Sequence, residues 1–376
     1  MELKVLHLID SGGLYGAEKM LLALAEEQMN RGISPLILSA GEMGQSEKPL
    51  ESEARARGIP VVNWRMKSGF NLMGAREIYQ WAQAEGFQLM HSHGYKFNVL
   101  MGLWPEAIRK IPLVTTLHGY VRAPRFTKAW LYELVDRLVL GQMRKVVMVS
   151  GAMKTQVPTA IANSSRTCVI PNGLDPASIR RRSSEPLRET LTSFFERHKP
   201  VILGVGRLSR EKGFDRLVDA FAEIREVFPG SGLLIVGEGQ QREALENRIA
   251  DLDLREAVLM PGYLENVPAI MQRCDVLCIP SFTEGLPITL LEAMTVGLPI
   301  VASDVGEIRA VLGDGLGGRV LRIDATQSLT KELTEVLADT INVSEQVTWS
   351  TQRISQNYSS RAMAEKYLQI YQQVLA

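Results

Sequence analysis

Two glutamates around a glycine turn mark the stretch with the most chemistry in this sequence, Ser281 to Glu307, SFTEGLPITLLEAMTVGLPIVASDVGE. Glu284 lies in a loop after the apolar strand Val276 to Ile279, and Glu292 lies about two turns into a helix that the chain enters through Pro287. Proline suits the first turn of a helix, because the N–H that it lacks would have no partner there. The free N–H groups at that helix start favour an anion such as pyrophosphate, and two carboxylates beside a glycine turn suit sugar hydroxyls. The stretch therefore predicts a binding site for a sugar phosphate.

A basic pair follows another predicted strand, in the segment VILGVGRLSREKGFDRLVDAF at residues 201–221. Arg207 and Lys212 lie in the loop between this strand and the next helix, at the carboxyl edge of the predicted sheet, where such sheets bind their ligands. Arginine offers a planar bidentate fork and lysine offers a point charge, so the pair suits a diphosphate leaving group. A solvated loop would explain either residue alone, but it explains the two together poorly.

Both segments resemble the family 4 retaining glycosyltransferases, which have the GT-B fold. Glu284 and Glu292 stand eight positions apart, as in the paired-glutamate motif of that family, within the similar frame EGLPITLLEAMTVGLPIVASDVGE. Arg207 and Lys212 match the family's phosphate-binding arginine and lysine within Gly-Arg-Leu-x-x-Glu-Lys-Gly. The resemblance covers essentially the whole chain. It implies an α/β architecture of two Rossmann-like doubly wound domains that face each other across a cleft.

The resemblance also implies a donor substrate, a nucleotide diphosphate sugar linked to UDP or GDP. In the second domain Glu284 would orient the sugar, and Glu292 would meet the ribose hydroxyls. Two further strand ends would flank the base and the ribose, with much of the base contact made by backbone. The implied donor-binding residues of this domain, besides Arg207 and Lys212, are Glu238, Tyr263, Glu284, Gly285, Leu286 and Glu292.

A glycine-rich loop, DSGGLYG at residues 10–16, follows the first strand, Val5 to Ile9. Glycines at this place allow a backbone to approach a phosphate closely. The loop resembles the first loop of the family, which faces the donor across the cleft, and this implies donor contacts from Gly12, Gly13 and Gly16. Taken alone, the pattern would also fit a dinucleotide-binding dehydrogenase, although Glu42 is a poor candidate for the acidic residue that this class requires.

Two predicted strands of the first half end in histidines, in HSHGYKFN at residues 91–98 and in TLHGY at residues 116–120. A lone histidine is usually structural. For His118 the strand end, the following Gly119 and the similarity to the family's cleft histidine together favour a role near the donor sugar. His91 is predicted to be structural, and both roles stay open for His93.

The catalytic residues that the resemblance implies are His118, Arg207, Lys212 and Glu284. No histidine and cysteine cluster of ligand quality is recognised in the sequence, so the prediction is an enzyme without metal or cofactor, in which the two cations and a helix N-terminus neutralise the leaving group. The sugar would pass, with retention, to a hydroxyl of a lipid-linked or oligosaccharide intermediate of bacterial surface polysaccharide. A nucleotide-sugar epimerase-like enzyme and a non-catalytic GT-B scaffold are the alternatives.

The composition is that of an ordinary globular protein, with 42 Lys and Arg balanced by 42 Asp and Glu. No run of about 18 apolar residues occurs and the chain opens on a strand, so we expect neither a membrane span nor a signal peptide. Cys168, Cys274 and Cys278 are too scattered for a disulfide framework. These features predict a reducing, cytoplasmic setting, and the lack of a basic run disfavours a nucleic-acid partner.

Residues 96–154 contain ten Lys and Arg but only three Asp and Glu. Basic and aromatic residues that could meet an acceptor or the headgroups of anionic lipids cluster there and near residue 67: Arg122, Arg125, Lys128 and Trp130, and Trp64, Met66, Lys67 and Phe70. The pattern fits a peripheral position on the inner face of the plasma membrane. A solvated helix face beside core residues explains it equally well.

The length of 376 residues favours two domains, because single cores stop growing near ~250–300 residues. The predicted boundaries give an acceptor-binding domain at 1–178 and a donor-binding domain at 199–355. The Arg- and Ser-rich stretch between them, 179–198, is predicted to be a linker. By resemblance, the final helix at 356–376 returns to the first domain.

Overall fold

The computed structural model of the protein describes residues 2–10, 13–67, 69–118, 128–322, 326–338 and 340–376, and for residues 128–133, 326–328 and 340–342 it describes the backbone alone. The chain divides into two compact units, one made of Met1–Leu174 with Asn357–Ala376 and the other of Asp175–Gln356. Each unit contains a parallel sheet with helices, as alternating strand and helix patterns predict. The predicted class, α/β with two doubly wound Rossmann-like sheets, is confirmed.

The described part of the first unit contains seven parallel strands: β1 (Lys4–Ile9), β2 (Ser34–Glu42), β3 (Val61–Met66), β4 (Leu89–Ser92), β5 (Leu113–Leu117), β6 (Lys145–Met148) and β7 (Thr167–Val169). They lie in the order β3-β2-β1-β4-β5-β6-β7. The helices between them are α1 (Gly16–Met29), α2 (Pro49–Ala56), α3 (Leu72–Ala84), α4 (Tyr95–Gly102), α5 (Glu106–Arg109), α6 (Lys128–Val139) and α7 (Thr159–Ala162), with 3-10 turns at Leu140–Gln142 and Gly151–Thr155.

Both faces of this sheet are covered, which explains why its central strands are apolar along almost their whole length. Successive residues of a strand point to opposite faces, so Leu6 packs in one core with Ile78, while Val5 packs in the other with Leu24. All of these side chains are fully buried. His7, in the middle of β1, departs from this apolar pattern and is equally buried.

The second unit has six described parallel strands: β8 (Val201–Val205), β9 (Gly232–Val236), β10 (Val258–Gly262), β11 (Val276–Ile279), β12 (Ile300–Ser303) and β13 (Arg319–Leu321). Their order is β10-β9-β8-β11-β12-β13. Its helices are α8 (Pro176–Ser183), α9 (Glu189–Arg197), α10 (Phe214–Val227), α11 (Arg242–Asp251), α12 (Val267–Met271), α13 (Ile288–Val296), α14 (Ile308–Val311), α15 (Thr326–Ala338) and α16 (Thr340–Arg353), with a 3-10 turn at Arg210–Lys212 and a π turn at Ile354–Tyr358.

The last helix, α17 (Ser360–Leu375), belongs to the first unit. Ser359 caps its start by accepting a hydrogen bond from the Ala362 N–H at 3.1 Å. Tyr367 and Tyr371 are fully buried in the same core as Val5. The helix therefore completes one face of the first sheet.

Strands β2 and β3 lie side by side at one edge of the first sheet. The ladder between them continues to the pair Glu42 and Met66. The consequence concerns Trp64, which the sequence suggested as part of an exposed cluster. Its ring instead packs 5.4 Å from that of Trp81 and against the core, because the strand continues through it. Phe70 remains exposed, at 42%.

The stretch 179–198, predicted to be a linker, is largely helical and lies in the second unit. Asp175 caps α8 by accepting hydrogen bonds from the N–H groups of Ala177 at 2.9 Å and Ser178 at 3.2 Å. Pro176 takes the first helical position. α9 buries Leu191, Phe194 and Phe195. The linker prediction failed because arginines on an exposed helix face resemble a polar loop in sequence.

The two sheets share a topological feature. In the first, β1 has β2 on one side and β4 on the other, and in the second, β8 lies between β9 and β11. The strand order reverses at each of these points. The loops that leave neighbouring strands there diverge to opposite faces, so a crevice forms at the carboxyl edge, where open α/β sheets bind ligands. Each unit therefore has one such place for a site.

Candidate active site

In the second unit, the loops after β8 and β11 are joined at the topological switch point. The Phe282 N–H donates to the Glu211 carbonyl oxygen at 2.8 Å. Gly213 adopts a left-handed conformation with φ 64°, and a side chain there would collide with the Pro280 carbonyl. Only glycine allows the two loops to approach so closely. The loops carry Lys212 and Glu284, respectively.

Lys212 and Glu284 form an ion pair in this crevice. The Lys212 Nζ atom donates to Oε1 of Glu284 at 2.6 Å, and the Ser281 hydroxyl donates to the same oxygen at 2.6 Å. The Glu284 side chain is only 9% exposed, so solvent screens the pair weakly. Its Oε2 atom makes no hydrogen bond to any residue that the structure describes. One carboxylate oxygen is therefore held in place and the other is available as an acceptor.

A third loop, after β12, supports the Glu284 turn from another side. The Glu307 N–H donates to the Gly285 carbonyl oxygen at 3.0 Å. Gly306 has φ 57°, and a side chain there would collide with the carbonyl of Glu284. These contacts explain why Gly306 and Glu307, at the end of the motif, accompany the glutamate that begins it. Gly285 itself has open space around its Cα, where a ligand could approach the backbone.

Arg207 lies in the same loop as Lys212 but is exposed. Its guanidinium makes no hydrogen bond or ion pair with any residue in the described part of the chain. The structure thus places one of the two predicted phosphate cations in a pair with Glu284 and leaves the other in solvent. Their predicted role in binding phosphate stays a prediction.

Glu292 is the fifth residue of α13, which begins at Ile288, so it lies in the second turn and not two full turns in. Its carboxylate is 3.7 Å from the guanidinium of Arg182, on α8, and the side chain is 13% exposed. The sequence did not predict this ion pair, because residue 182 was assigned to a linker. The sequence pattern did not show that Arg182 belongs to a helix of the second unit.

The other predicted donor residues of this unit follow neighbouring strands. Glu238, after β9, is held by Arg242 in a bidentate pair at 2.6 and 2.8 Å. Hydrogen bonds from Arg242 lower the pKa of Glu238. Tyr263, after β10, exposes 73% of its surface and lines a cavity of about 410 Å³ together with Glu265 and Asn266. Leu286 is half-buried beside the Glu284 turn. The donor contacts expected of these residues stay predictions.

The first unit gathers four histidines at its own switch point. His7 lies on β1, His91 on β4, His93 directly after β4, and His118 directly after β5. Ring nitrogens of His7 and His93 are 3.0 Å apart, and those of His93 and His118 are 3.4 Å apart. His91 instead contacts Tyr371 at 2.7 Å. The sequence singled out His118, but it missed His7 because a histidine inside an apolar strand has no motif.

These histidines are neutral at physiological pH. Burial is the main cause, because it disfavours the charged imidazolium. It lowers the pKa of His7 and of His118 to about 4, and it lowers the pKa of His91 and His93 well below the usual value, with a further contribution from neighbouring imidazoles. The four histidines therefore offer uncharged donors and acceptors.

A cavity of about 490 Å³ that sequence reasoning did not anticipate lies at the carboxyl ends of β1 and β2. Its walls include Asp10, Lys48 and Lys96. Lys48 is 5% exposed and donates to Asp10 at 3.0 Å, and Lys96 binds the other oxygen of the same carboxylate. Burial opposes ionisation of Asp10, but the hydrogen bonds from both lysines outweigh it and lower its pKa. The cavity is polar and holds charges of both signs.

Several predicted residues of the first unit cannot be placed. Gly12, Arg122 and Arg125 lie outside the described residues. Lys128 and Trp130 belong to α6, but only their backbone is described. Two glycines of the first loop are described: Gly16 begins α1, and a side chain on Gly13 would collide with the ring of Tyr15.

Two features bear on the predicted independence from metal. Ring nitrogens of His7, His91 and His93 lie within 4.8 Å of one another, a spacing that could hold a metal ion. An Asp-x-Asp sequence, Asp251–Asp253, lies at the end of α11, and the sequence-based expectation that the chain lacks this motif was wrong. Because a helix after a parallel strand runs back along the sheet, this sequence lies at the amino edge, opposite the site loops. Independence from metal stays a prediction.

Comparison with known families identifies the class of protein to which this fold belongs. Residues 15–178 match the model described as Glycosyltransferase Family 4, and residues 192–353 match the model described as Glycosyl transferases group 1. Together the two matches span most of the chain. The chain belongs to this family of glycosyltransferases, and the predicted enzyme class is confirmed.

Similar proteins cover nearly the whole chain. The UDP-Gal:alpha-D-GlcNAc-diphosphoundecaprenol alpha-1,3-galactosyltransferase of Escherichia coli is 23% identical, over 80% of this chain and 79% of its own length. The phosphatidyl-myo-inositol mannosyltransferase of Mycobacterium leprae is 25% identical, over 96% and 93%. The structure of Anabaena HepE in complex with UDP has a TM-score of 0.78 at 22% identity, covers 99% of this chain and 100% of that chain, and shows the same fold.

Proposed function

We propose that this glycosyltransferase moves a hexosyl group, with retention of configuration, from a nucleotide diphosphate sugar to a hydroxyl of a lipid-linked or oligosaccharide acceptor. The observation that carries the proposal is the Lys212–Glu284 pair at the switch point of the second unit. A carboxylate with a free oxygen suits a sugar hydroxyl, and an ammonium with three donors can bind Glu284 and a phosphate at the same time.

The chemistry of this pair suits departure of a nucleoside diphosphate. The bond from the sugar C1 to the phosphate oxygen breaks, the acceptor oxygen bonds to C1 on the same face, and the acceptor proton leaves with the diphosphate. Negative charge grows on the leaving oxygens, and Lys212 and the exposed Arg207 would stabilise it there. Glu284 would orient the sugar through its free Oε2 atom. In this proposal the two cations do the work of a metal ion.

We propose UDP as the nucleotide of the donor, with GDP as the alternative. The E. coli relative is named for a UDP-linked galactose, and the HepE structure contains UDP. The same relative is named for an acceptor on diphosphoundecaprenol, and the M. leprae relative for phosphatidyl-myo-inositol. Both names contain a lipid, which supports a lipid-linked acceptor for this chain. The 490 Å³ cavity beside Asp10 is our candidate for binding polar parts of that acceptor.

We further propose that the first unit docks on an anionic membrane. The outer face of α6 exposes Leu134 at 43% and Leu138 at 72%, one helical turn apart, within the basic segment 96–154. Apolar side chains among basic residues suit the boundary between headgroups and acyl chains. No helix in the described part of the chain has both the length and the apolar character needed to span a membrane. Docking on a surface would bring the enzyme to an acceptor that stays in the bilayer.

The experiment that tests the proposed activity measures nucleoside diphosphate release from a panel of UDP and GDP sugars, with and without a polyprenyl diphosphate sugar. We expect release from one donor, stimulated by the lipid-linked acceptor, and unchanged after EDTA treatment. Proton NMR of the product gives the anomeric configuration. An inverted product would contradict retention, and loss of activity with EDTA would contradict metal independence. Release of no diphosphate from any donor would favour a non-catalytic scaffold, and a changed sugar without transfer would favour an epimerase.

A further inference from the structure

The histidines of the first unit form a continuous chain of hydrogen bonds that starts at a glutamine. Gln28, on α1, is 1% exposed, and its Oε1 atom is 2.8 Å from His7 Nε2. His7 Nδ1 is 3.0 Å from His93 Nε2, and His93 Nδ1 is 3.4 Å from His118 Nε2. The four side chains come from α1, β1 and the ends of β4 and β5. The chain thus leads from the core to the histidine that the sequence singled out.

The direction of these hydrogen bonds follows from the glutamine. The Gln28 Nε2 group donates to the Tyr371 hydroxyl at 3.2 Å, so its oxygen faces His7 and must accept. His7 is neutral and therefore carries its one proton on Nε2, and its Nδ1 accepts from His93 Nε2. His93 in turn accepts on Nδ1 from His118 Nε2. Each ring has a single proton, so each bond fixes the next.

The same glutamine also fixes a second branch, which supports this assignment. The Tyr371 hydroxyl accepts from Gln28 and so donates to His91 Nδ1, at 2.7 Å. His91 then donates from Nε2 to the Thr116 hydroxyl at 2.8 Å, which is 2.8 Å from the hydroxyl of Tyr367. Donors and acceptors match along both branches. A metal ion on His7, His91 and His93 would break several of these bonds, since both ring nitrogens of all three have hydrogen-bond partners.

The first branch ends at the His118 Nδ1 atom. This nitrogen is buried and has no hydrogen-bond partner among the described residues. A buried polar atom without a partner is costly, and such atoms often mark a place where a ligand supplies the missing group. In the assigned tautomer Nδ1 carries a lone pair, so the missing group is a donor such as a hydroxyl.

We infer that Gln28, His7 and His93 are positioning residues, which hold His118 in the tautomer with its proton on Nε2 so that Nδ1 accepts a hydrogen bond from a sugar hydroxyl. The identity of that hydroxyl rests on the proposed function, whereas the tautomer does not. In this arrangement the buried Gln28 decides which ring nitrogen of His118 donates and which accepts.

Nitrogen-15 NMR of the protein labelled at its histidines tests the tautomer without any substrate. We expect the His118 signals to show a bare Nδ1 and a protonated Nε2 at pH 7.5, and the same pattern for His7, His91 and His93. A protonated Nδ1 on His118 would overturn the inference even if the enzyme transferred sugar. The expected tautomer in a protein that releases no diphosphate would leave the inference standing and reject the proposed function instead.

Two substitutions of His93 then test its effect on activity. His93→Leu removes both the acceptor and the donor, whereas His93→Gln keeps one of each. In His93→Leu we expect both tautomers of His118 and a KM for the donor sugar raised about tenfold, the loss of about one good hydrogen bond. His93→Gln should restore the tautomer and most of the affinity. Equal kinetics in both variants would overturn the positioning role.

His91→Gln is the matched control, because His91 is as buried as His93 but belongs to the branch that does not reach His118. It should leave the His118 signals and the KM unchanged. Metal content provides a further check that needs no variant. About one zinc ion per chain by mass spectrometry, released together with a shift of the histidine signals, would show a metal site in place of the hydrogen-bond relay.

Discussion

The two units carry different chemistry at the same place in the same topology. At the switch point of the second unit Lys212 and Glu284 meet as full charges. At that of the first unit four imidazoles meet without charge, and their nearest hydrogen-bond partners are an amide and hydroxyls. Charges are present in this unit too, in the group of Asp10, Lys48 and Lys96, but none of them pairs with these imidazoles. The strand order creates both crevices, but it does not decide what they bind. The difference follows from position: the histidines lie on the strands or directly after them, whereas the ion pair lies several residues farther along, in the loops.

A charged pair in one unit and neutral imidazoles in the other suit a reaction that involves both a charged diphosphate and uncharged sugar hydroxyls. A leaving diphosphate gains negative charge, and cations that need no reorganisation stabilise it best. Sugar hydroxyls carry no charge, so neutral acceptors recognise them without a large desolvation cost. Under the proposed function, the second unit therefore handles the diphosphate while His118 in the first unit handles a hydroxyl.

The largest expected effect comes from removing the charges of the Lys212–Glu284 pair. Lys212→Met removes the cation, and Glu284→Gln removes the charge but keeps the shape. Because these groups would act on charge that develops in the transition state, each substitution should lower kcat by roughly 10²–10³-fold. Steady-state kinetics of diphosphate release measures this.

Arg210→Met is the matched control for this prediction, since Arg210 is an exposed cation in the same 3-10 turn and is not assigned to the site. It should change kcat by less than about threefold, as expected for a solvated surface charge. A kcat for Lys212→Met as high as that of this control would show that the pair is structural.

The buried, neutral histidines predict that the first unit loses stability toward unfolding as the pH falls. The pKa of His7 falls from about 6.5 in the unfolded chain to about 4 in the fold. Below pH 6.5 the unfolded state binds a proton that the folded state excludes, so stability is complete above pH 6.5 and is lost as the pH falls toward 4. At pH 5 the loss from His7 alone is about 2 kcal/mol, because each pKa unit corresponds to about 1.4 kcal/mol.

Urea unfolding at pH 7.5 and pH 5, followed by probes in each unit, measures this sensitivity. His7→Gln keeps an amide in hydrogen-bonding reach but cannot titrate, so it should reduce the difference between the two pH values. His198→Gln, in the second unit, is the control and should leave the first unit's difference unchanged. An identical pH dependence in wild type and His7→Gln would show that His7 is not buried neutral.

A smaller effect is expected at Glu292. As a ribose ligand it would contribute a charge-assisted hydrogen bond of about 1.5–3 kcal/mol. Glu292→Ala should therefore weaken donor binding roughly tenfold or more, as measured by calorimetry. Arg182→Ala removes only the 3.7 Å ion pair and should cost less than about fivefold. Unchanged affinity in Glu292→Ala would remove this residue from the site.

The sequence predicted the fold well because buried parallel strands are apolar runs that need no long-range information. It also predicted the residues of the charged site, since Glu284 and Lys212 each stand in a recognisable frame. It did not predict that they pair, because the contact joins residues 72 positions apart through loops whose path is set by Gly213 and Gly306. The histidine chain was missed for a related reason. A buried polar residue such as His7 depends on partners, and only packing brings Gln28 and His93 to it.

The last prediction concerns membrane binding rather than catalysis or stability, and it rests on a second difference, between the surfaces of the two units. Residues 1–180 hold 21 Lys and Arg against 15 Asp and Glu, while the rest of the chain has the opposite excess. Each basic residue near an anionic bilayer contributes about 1 kcal/mol, so a handful would hold the enzyme reversibly. Exposed Leu134 and Leu138 would add apolar burial. Changing Arg122, Arg125 and Lys128 to Glu should abolish binding to anionic vesicles at low salt, and Leu134→Glu with Leu138→Glu should weaken it several-fold.

Co-sedimentation with vesicles, with and without anionic lipid, distinguishes a membrane face from an ordinary solvated helix. The matched control is Val227→Glu with Leu252→Glu, which changes two equally apolar, exposed side chains of the second unit. If charge and apolar burial act together, high salt should release the wild-type protein, because it screens the headgroup attraction. The control should pellet like wild type, since its substitutions lie outside the basic segment. Pelleting that is indifferent to salt and to both sets of first-unit substitutions would mean that Leu134 and Leu138 are merely exposed, and the two units would then differ in their sites but not in their surfaces.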